Sequence, residues 1–219
     1  MAVLDVLAAR ETVAEVEALG RRAVALRSDL GALDTEGARA LVAEAAEALG
    51  GLDVLVNNAG IIRRAPAAEV EEADWRATLA VDLDATWHLC QAAGRRWLEA
   101  GRPGRIVNVA SLLSFQGGIL VPAYTAAKHA VAGVTKALAN EWAGRGIGVN
   151  AIAPGYFATD VTAGIREDPE RARAMLERIP AARWGEPADL EGAVVFLASE
   201  ASAYVHGVVL PVDGGWLAR

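Results

Sequence analysis

The chain has 219 residues, with 21 basic against 28 acidic side chains and a formal net charge of −7. The length suits one α/β domain over 1–219. At 53% hydrophobic and 22% charged, the chain can bury enough apolar surface to offset ordering entropy, which excludes disorder. The acidic balance argues against a nucleic-acid or anionic-membrane binder, which carries a basic face. The single cysteine, Cys90, excludes a disulfide framework and a cysteine-based metal site, and points to the cytoplasm.

In chain order, residues 1–6 form a short apolar run, and 11–19 a helix with Val13, Val16 and Leu19 on one face. Residues 23–26 read as a strand. Residues 34–49 read as an amphipathic helix capped by Asp34, ended by Gly50, with Leu41, Val42, Ala45 and Leu49 inward. A strand at 52–56 precedes a long helix over 74–100 that contains a bend or step. Further strands fall at 105–110, 148–152 and 208–212, with helices at 122–143, 169–178 and 188–198. Strands separated by helices imply right-handed βαβ units and a doubly wound parallel sheet. No signal peptide is expected, since the first residues lack a basic stretch and Asp5 interrupts the apolar run. The longest uncharged stretch, 106–127, holds Asn108, Gln116, Gly117, Gly118 and Pro122 and does not read as a membrane span.

In open parallel sheets, ligands bind beyond the carboxyl ends of the strands. Three clusters fall there. Asn57-Asn58-Ala59-Gly60 follows the strand at 52–56; alone it is also an ordinary turn. Ser111 follows the strand at 105–110, and Tyr124 and Lys128 lie four apart on one helix face. A lysine ammonium beside a phenol lowers the phenol pKa from about 10, making Tyr124 a proton donor or acceptor. Such a spacing is often a surface pair, but this chain has only two lysines, Lys128 and Lys136, against 19 arginines. Pro154-Gly155 follows the strand at 148–152, with Thr159 nearby; it too can be a plain turn. His88, His129 and His206 share no metal-ligand spacing, so no metal is expected.

Together these residues, with Val212-Asp213-Gly214-Gly215, resemble the short-chain dehydrogenase/reductase family over nearly all of the chain. The resemblance implies a Rossmann-type fold and hydride transfer between a nicotinamide cofactor and a carbonyl or alcohol. It makes Tyr124 the acid/base, Lys128 its tuning group and ribose ligand, and Ser111 the group that orients the carbonyl. It places Asp29 and Leu30 at the adenine, Asn57, Ala59 and Gly60 along the cofactor, and Pro154, Gly155 and Thr159 at the carboxamide. It also implies a homodimer or homotetramer, for which the apolar segment 208–217 is an expected interface.

Gly60-Ile-Ile-Arg-Arg64, Ser114-Phe-Gln-Gly-Gly118, Asn140-Glu-Trp142, residues 179–185 and 213–219 are similar to the branch acting on deoxy-gluconate-type sugar acids. A substrate carboxylate needs a cation, and arginine can bind it through two hydrogen bonds. Arg63, Arg64 and Arg183 are the candidates, with Gln116 as a further substrate contact. A 3-oxoacyl-carrier-protein reductase using NADPH, or a catalytically silent subunit, are the alternatives.

Two features depart from the family pattern. No glycine-rich turn follows the first strand, so the chain is expected to begin at the family's second strand, lacking the first strand, turn and helix. The run at 1–6 and the strand at 52–56 would then share no neighbour, leaving two open hydrogen-bonding edges. Asp82 stands where the family has an asparagine in its catalytic set. A charge there would hold Lys128 as a cation and oppose phenolate formation at Tyr124. For the cofactor, Asp5 near the end of the first run favours NAD by bonding the ribose 2′-hydroxyl, while Arg10 keeps NADP possible.

Overall fold

The computed structural model describes residues 1–218, so Arg219, the last residue of the C-terminal motif, lies outside them. The strands are β1 (Ala2–Asp5), β2 (Val24–Arg27), β3 (Val54–Asn57), β4 (Gly104–Val109), β5 (Ile147–Pro154) and β6 (Val209–Val212). The helices are α1 (Arg10–Ala18), α2 (Thr35–Leu49), α3 (Glu72–Leu79), α4 (Ala85–Ala100), α5 (Pro122–Trp142), α6 (Ala163–Arg166), α7 (Pro169–Leu176) and α8 (Glu191–Ala198). Every strand pairing is parallel. This is the Rossmann-type α/β architecture expected from the alternating pattern.

The strands divide into two sheets. β1 pairs only with β2, and β3, β4, β5 and β6 form a four-stranded sheet in that order. Among the described residues, no strand bonds to both β1 and β3. The outer edge of β3 is open, with Val54 and Val56 exposed. What joins the sheets is apolar packing. Ala38 and Val42 of α2 and Leu89 and Ala92 of α4 form one buried cluster, against which Leu4 of β1 and Leu55 of β3 both pack. One helix layer therefore spans both sheets without any shared strand.

The main core lies under the four-stranded sheet. Cys90, Ala93 and Trp97 of α4 meet Ile106 of β4, Leu138, Ala139 and Trp142 of α5, and Ile147 and Val149 of β5. On the opposite face, Leu197 of α8 covers Val107 and Ile152. Strand β5 is buried along nearly its whole length, as a central parallel strand covered on both faces should be. The Trp97 indole N–H donates to the Leu52 carbonyl at 2.8 Å, fixing the approach to β3. Gly94 permits close α4–α5 packing: a Cβ there would come within 2.4 Å of the Trp142 ring.

Helix α2 starts as expected, with the Asp34 carboxylate accepting from the Gly37 N–H at 2.7 Å. It ends at Gly50, whose φ of 80° suits a residue without a side chain. The expected step within 74–100 is a π-helical turn, Ala80–Asp84, between α3 and α4. Such turns widen a helix locally and concentrate at functional sites. Leu19, on one face with Val13 and Val16, is exposed. It lies beyond the last turn of α1, a helix with no fully buried residue.

Candidate active site

The carboxyl ends of β3, β4 and β5 converge on one region. From β4, the chain passes through Ser111 into a short 3₁₀ turn, Leu112–Ser114, capped by the Ser111 hydroxyl, which accepts from the Leu113 N–H at 3.1 Å. The Ser114 hydroxyl donates to the Lys128 carbonyl at 2.6 Å, tying this turn to α5. Pro122 begins α5 at a position where a missing N–H costs nothing. Tyr124 and Lys128 then share a face, with Lys128 Nζ 5.4 Å from the Tyr124 ring centroid. The Ser111 hydroxyl lies near enough to the Tyr124 phenol to draw its pKa down. The phenol, the ammonium and the hydroxyl thus occupy one pocket.

Lys128 is buried and its ammonium donates to the Val109 carbonyl at 2.9 Å. Its Nζ lies 3.8 Å from Asp82 Oδ2, and Asp82 is fully buried in the π-helical turn. Asp82 Oδ1 accepts from the Ile61 N–H at 2.7 Å, whereas Oδ2 has no hydrogen-bond partner. Burial pushes the Asp82 carboxyl up, and Lys128 opposes that shift. Burial pushes the Lys128 ammonium down, and Asp82 opposes that. For Tyr124, burial pushes the phenol above its ordinary value; Ser111 and Arg64 draw it back, while Asp82 adds to the rise. The expected net lowering of Tyr124 is therefore corrected, because burial outweighs the nearby donors and cations.

The loop after β3 faces this pocket. Asn57 is buried, donating to Asn108 Oδ1 at 2.9 Å and to Cys90 Sγ at 3.2 Å. Its own Oδ1 is buried without a partner. Gly60 lies against the Asp82 carboxylate, at 3.4 Å from where its Cβ would stand. The Ala65 N–H donates to the Leu120 carbonyl at 3.0 Å, pinning the Arg63–Arg64 loop against the entry to α5. Leu120 adopts a φ of 66°, a left-handed conformation unusual for a leucine.

At the end of β5, Gly155 has no room for a side chain, since a Cβ would meet the Asp213 backbone at 2.7 Å. Thr159 caps the following turn, Asp160–Thr162. Of the remaining expected residues, Asp5 caps the Leu7 N–H at the exposed end of β1. Asp29 accepts from the Gly31 N–H, while the Leu30 side chain packs against the α2–α4 cluster. Gln116 accepts from the Trp216 indole at 3.3 Å. Arg63 lies 3.6 Å from Asp74. Arg183 donates to both Asp189 carboxylate oxygens, at 2.6 and 2.8 Å. Of the three arginines, Arg64 alone acts on the Tyr124 phenol.

Sequence reading missed the supports. Asn108 links Asn57 to the Thr135 hydroxyl, and Thr135 in turn donates to the Val131 carbonyl. An asparagine inside the apolar run of β4 was the available signal. Arg178 over the Trp216 ring at 4.0 Å, and Tyr156 at 4.7 Å from that ring, left no periodic trace.

Two buried oxygens without partners, on Asn57 and Asp82, together with the Lys128 ammonium, suit the polar ribose–nicotinamide half of a dinucleotide. The β1–α1 connection is different. Residues 6–9 are Val-Leu-Ala-Ala, and Ala9 makes no side-chain cap to α1. This turn offers no glycine-rich cradle for a pyrophosphate. Among the described residues, no group of three His, Cys, Asp or Glu is arranged to hold a metal. Among the described residues, no helix is long and apolar enough to cross a membrane.

A family model described as enoyl-(acyl carrier protein) reductase matches residues 1–217. The chain belongs to the short-chain dehydrogenase/reductase family. Over 216 residues it is 50% identical to 2-dehydro-3-deoxy-D-gluconate 5-dehydrogenase of Dickeya dadantii, covering 99% of this chain and 85% of that protein. A solved structure from Agrobacterium tumefaciens, named as a 2-deoxy-D-gluconate 3-dehydrogenase with bound NADP, is 52% identical with a TM-score of 0.93. The match covers 100% of this chain and 86% of that one. A gluconate 5-dehydrogenase from Burkholderia cenocepacia, in complex with NADP and tartrate, is 36% identical with a TM-score of 0.91, covering 100% and 85%. Membership of this oxidoreductase family agrees with the expectation drawn from the motifs.

Proposed function

We propose that this short-chain dehydrogenase/reductase interconverts a secondary alcohol and a ketone on a deoxy-gluconate-type sugar acid, with Tyr124 as the acid/base. The observation that carries this reading is the Ser111–Tyr124–Lys128 cluster at the carboxyl end of β4. The likeness to sugar-acid dehydrogenases supports the substrate class. The cofactor is a nicotinamide dinucleotide: NAD by the charge of Asp5, with NADP as a second reading favoured by the NADP-bound relatives. Asn57, Ala59, Gly60, Tyr124, Lys128, Pro154, Gly155 and Thr159 would hold its nicotinamide half, and Asp29 with the Leu30 backbone its adenine.

When bound, the nicotinamide supplies the hydride acceptor or donor. The protein manages the proton and the orientation. Ser111 donates to the substrate oxygen and fixes the reacting carbon. Tyr124 takes the hydroxyl proton during oxidation and returns it during reduction. The Lys128 ammonium favours the ionised phenol and is itself held by the Val109 carbonyl. Arg64 stands on the loop beside Tyr124 and would receive the substrate carboxylate. Self-association as a dimer or tetramer through the segment 208–217 is part of the proposal. The buried lone thiol suits a cytoplasmic location.

The test is turnover of a gluconate and deoxy-gluconate panel with NAD and with NADP, for the native chain and Tyr124→Phe. The variant should lose roughly 10²–10⁴-fold in kcat. A Tyr124→Phe protein with undiminished kcat would remove the phenol from the reaction.

A further inference from the structure

The buried charge beside Lys128 is Asp82. It is fully buried, and its two oxygens have different surroundings. Oδ1 is fixed by the Ile61 N–H on the loop after β3. Oδ2 has no hydrogen bond and faces Lys128 Nζ at 3.8 Å. The carboxylate therefore stands between the loop that carries Gly60 and the helix that carries Tyr124. An amide in its place would keep its oxygen on the Ile61 N–H and turn its NH₂ toward the ammonium, donor against donor.

We propose that Asp82 is a positioning residue, held as a carboxylate, that clamps the Gly60–Ile61 loop to Lys128 and competes with Tyr124 for the Lys128 ammonium. The inference rests on the reading of Tyr124 as the acid/base. Two contacts keep the charges in place: the Ile61 N–H stabilises the carboxylate, and the Val109 carbonyl stabilises the ammonium. With Lys128 already paired to Asp82, ionising Tyr124 adds a second negative charge to a buried site holding one positive charge. Without Asp82, the ammonium is left for the phenolate alone, and ionisation becomes easier.

Other charged groups packed around the 80–84 turn are directed elsewhere. On α3, Glu72 pairs with Arg76, and Asp74 faces Arg63. Asp29 caps Gly31, and His88 of α4 bonds the Thr35 hydroxyl. On α5, exposed His129 bonds the Thr125 carbonyl. Besides Asp82, Arg64 is a charge that acts on the phenol, and it lies on the loop that Asp82 anchors.

The experiment is an ultraviolet titration of tyrosine ionisation in the ligand-free protein, with the Tyr124→Phe curve subtracted to isolate Tyr124. Asp82→Asn should lower the Tyr124 midpoint by about one pH unit. The rising limb of alcohol oxidation against pH should move down by the same amount. Asp82→Ser removes the same charge and gives the same reading should the amide variant not fold. A midpoint that stays in place or rises overturns the proposal. The titration needs no turnover. Undiminished turnover by Tyr124→Phe would sink the acid/base reading while the midpoint still judged the role of Asp82.

Discussion

Cys90 sits among polar atoms yet is chemically quiet. Its sulfur accepts from Asn57 and donates to Asn108, and burial pushes the thiol pKa up to about 12. Thiolate, not thiol, is the reactive form, so iodoacetamide at mildly alkaline pH should leave Cys90 unmodified in the folded protein. Mass spectrometry should show alkylation only after denaturation; rapid labelling of the native chain would contradict its burial. The arginines separate by their place, Arg64 being the one that acts on the Tyr124 phenol. Arg183 already spends both arms of its guanidinium on Asp189, whose carboxyl is held well below the usual range by that contact. Arg64→Ala should raise KM for a sugar acid by about 10–100-fold, the scale of one charge-assisted hydrogen-bond pair. Arg183→Ala should raise it much less. Equal effects in steady-state kinetics would remove Arg64 as the carboxylate partner. The sequence named Ser111, Tyr124 and Lys128 by their place after a strand end and along one helix face, and Asp82 only through the family resemblance. It could not rank the arginines, because the Arg183–Asp189 contact depends on how an irregular segment folds back on itself. Nor could it reveal that burial outweighs Ser111 and Arg64 at Tyr124, since that depends on the depth of the pocket.

Helix packing behind the site rests on small residues. Gly94 of α4 has the Trp142 ring where a side chain would go, and Gly104 likewise abuts Trp97, 2.3 Å from a built Cβ. Gly94→Val should destabilise by about 1–3 kcal/mol through overpacking, seen as a lower thermal midpoint with the same far-ultraviolet spectrum. An unchanged midpoint would mean that α4 and α5 can separate without cost. The elements themselves were largely legible. Asp34 and Gly50 marked the ends of α2, Pro122 the start of α5, and the apolar runs the strands. The π-helical turn at Ala80–Asp84 was legible only as a step in a long helix. Within it Asp82 turns inward to Ile61 and Lys128, a long-range pairing that local periodicity does not encode. Leu19 shares the spacing of Val13 and Val16 but falls at the C-cap of α1, a helix with no buried residue.

The division into two sheets governs the molecule as a whole. It followed from strand order once the motif was read, because β1 and β3 had no common neighbour in the chain. Hydrogen exchange should separate the two parts. Amides of β4 and β5, paired on both sides under a covered core, should be among the most protected, and those of β1 and β2 should exchange sooner. Equal protection would show that the α2–α4 cluster couples the sheets as firmly as a strand would. The same construction has a mechanical reading. A ladder of backbone bonds resists shear because many bonds must break together, whereas greasy contacts yield one by one. Pulled by its first residue, this chain should let go of its front 27 residues at low force, then stiffen when tension reaches the four-stranded slab.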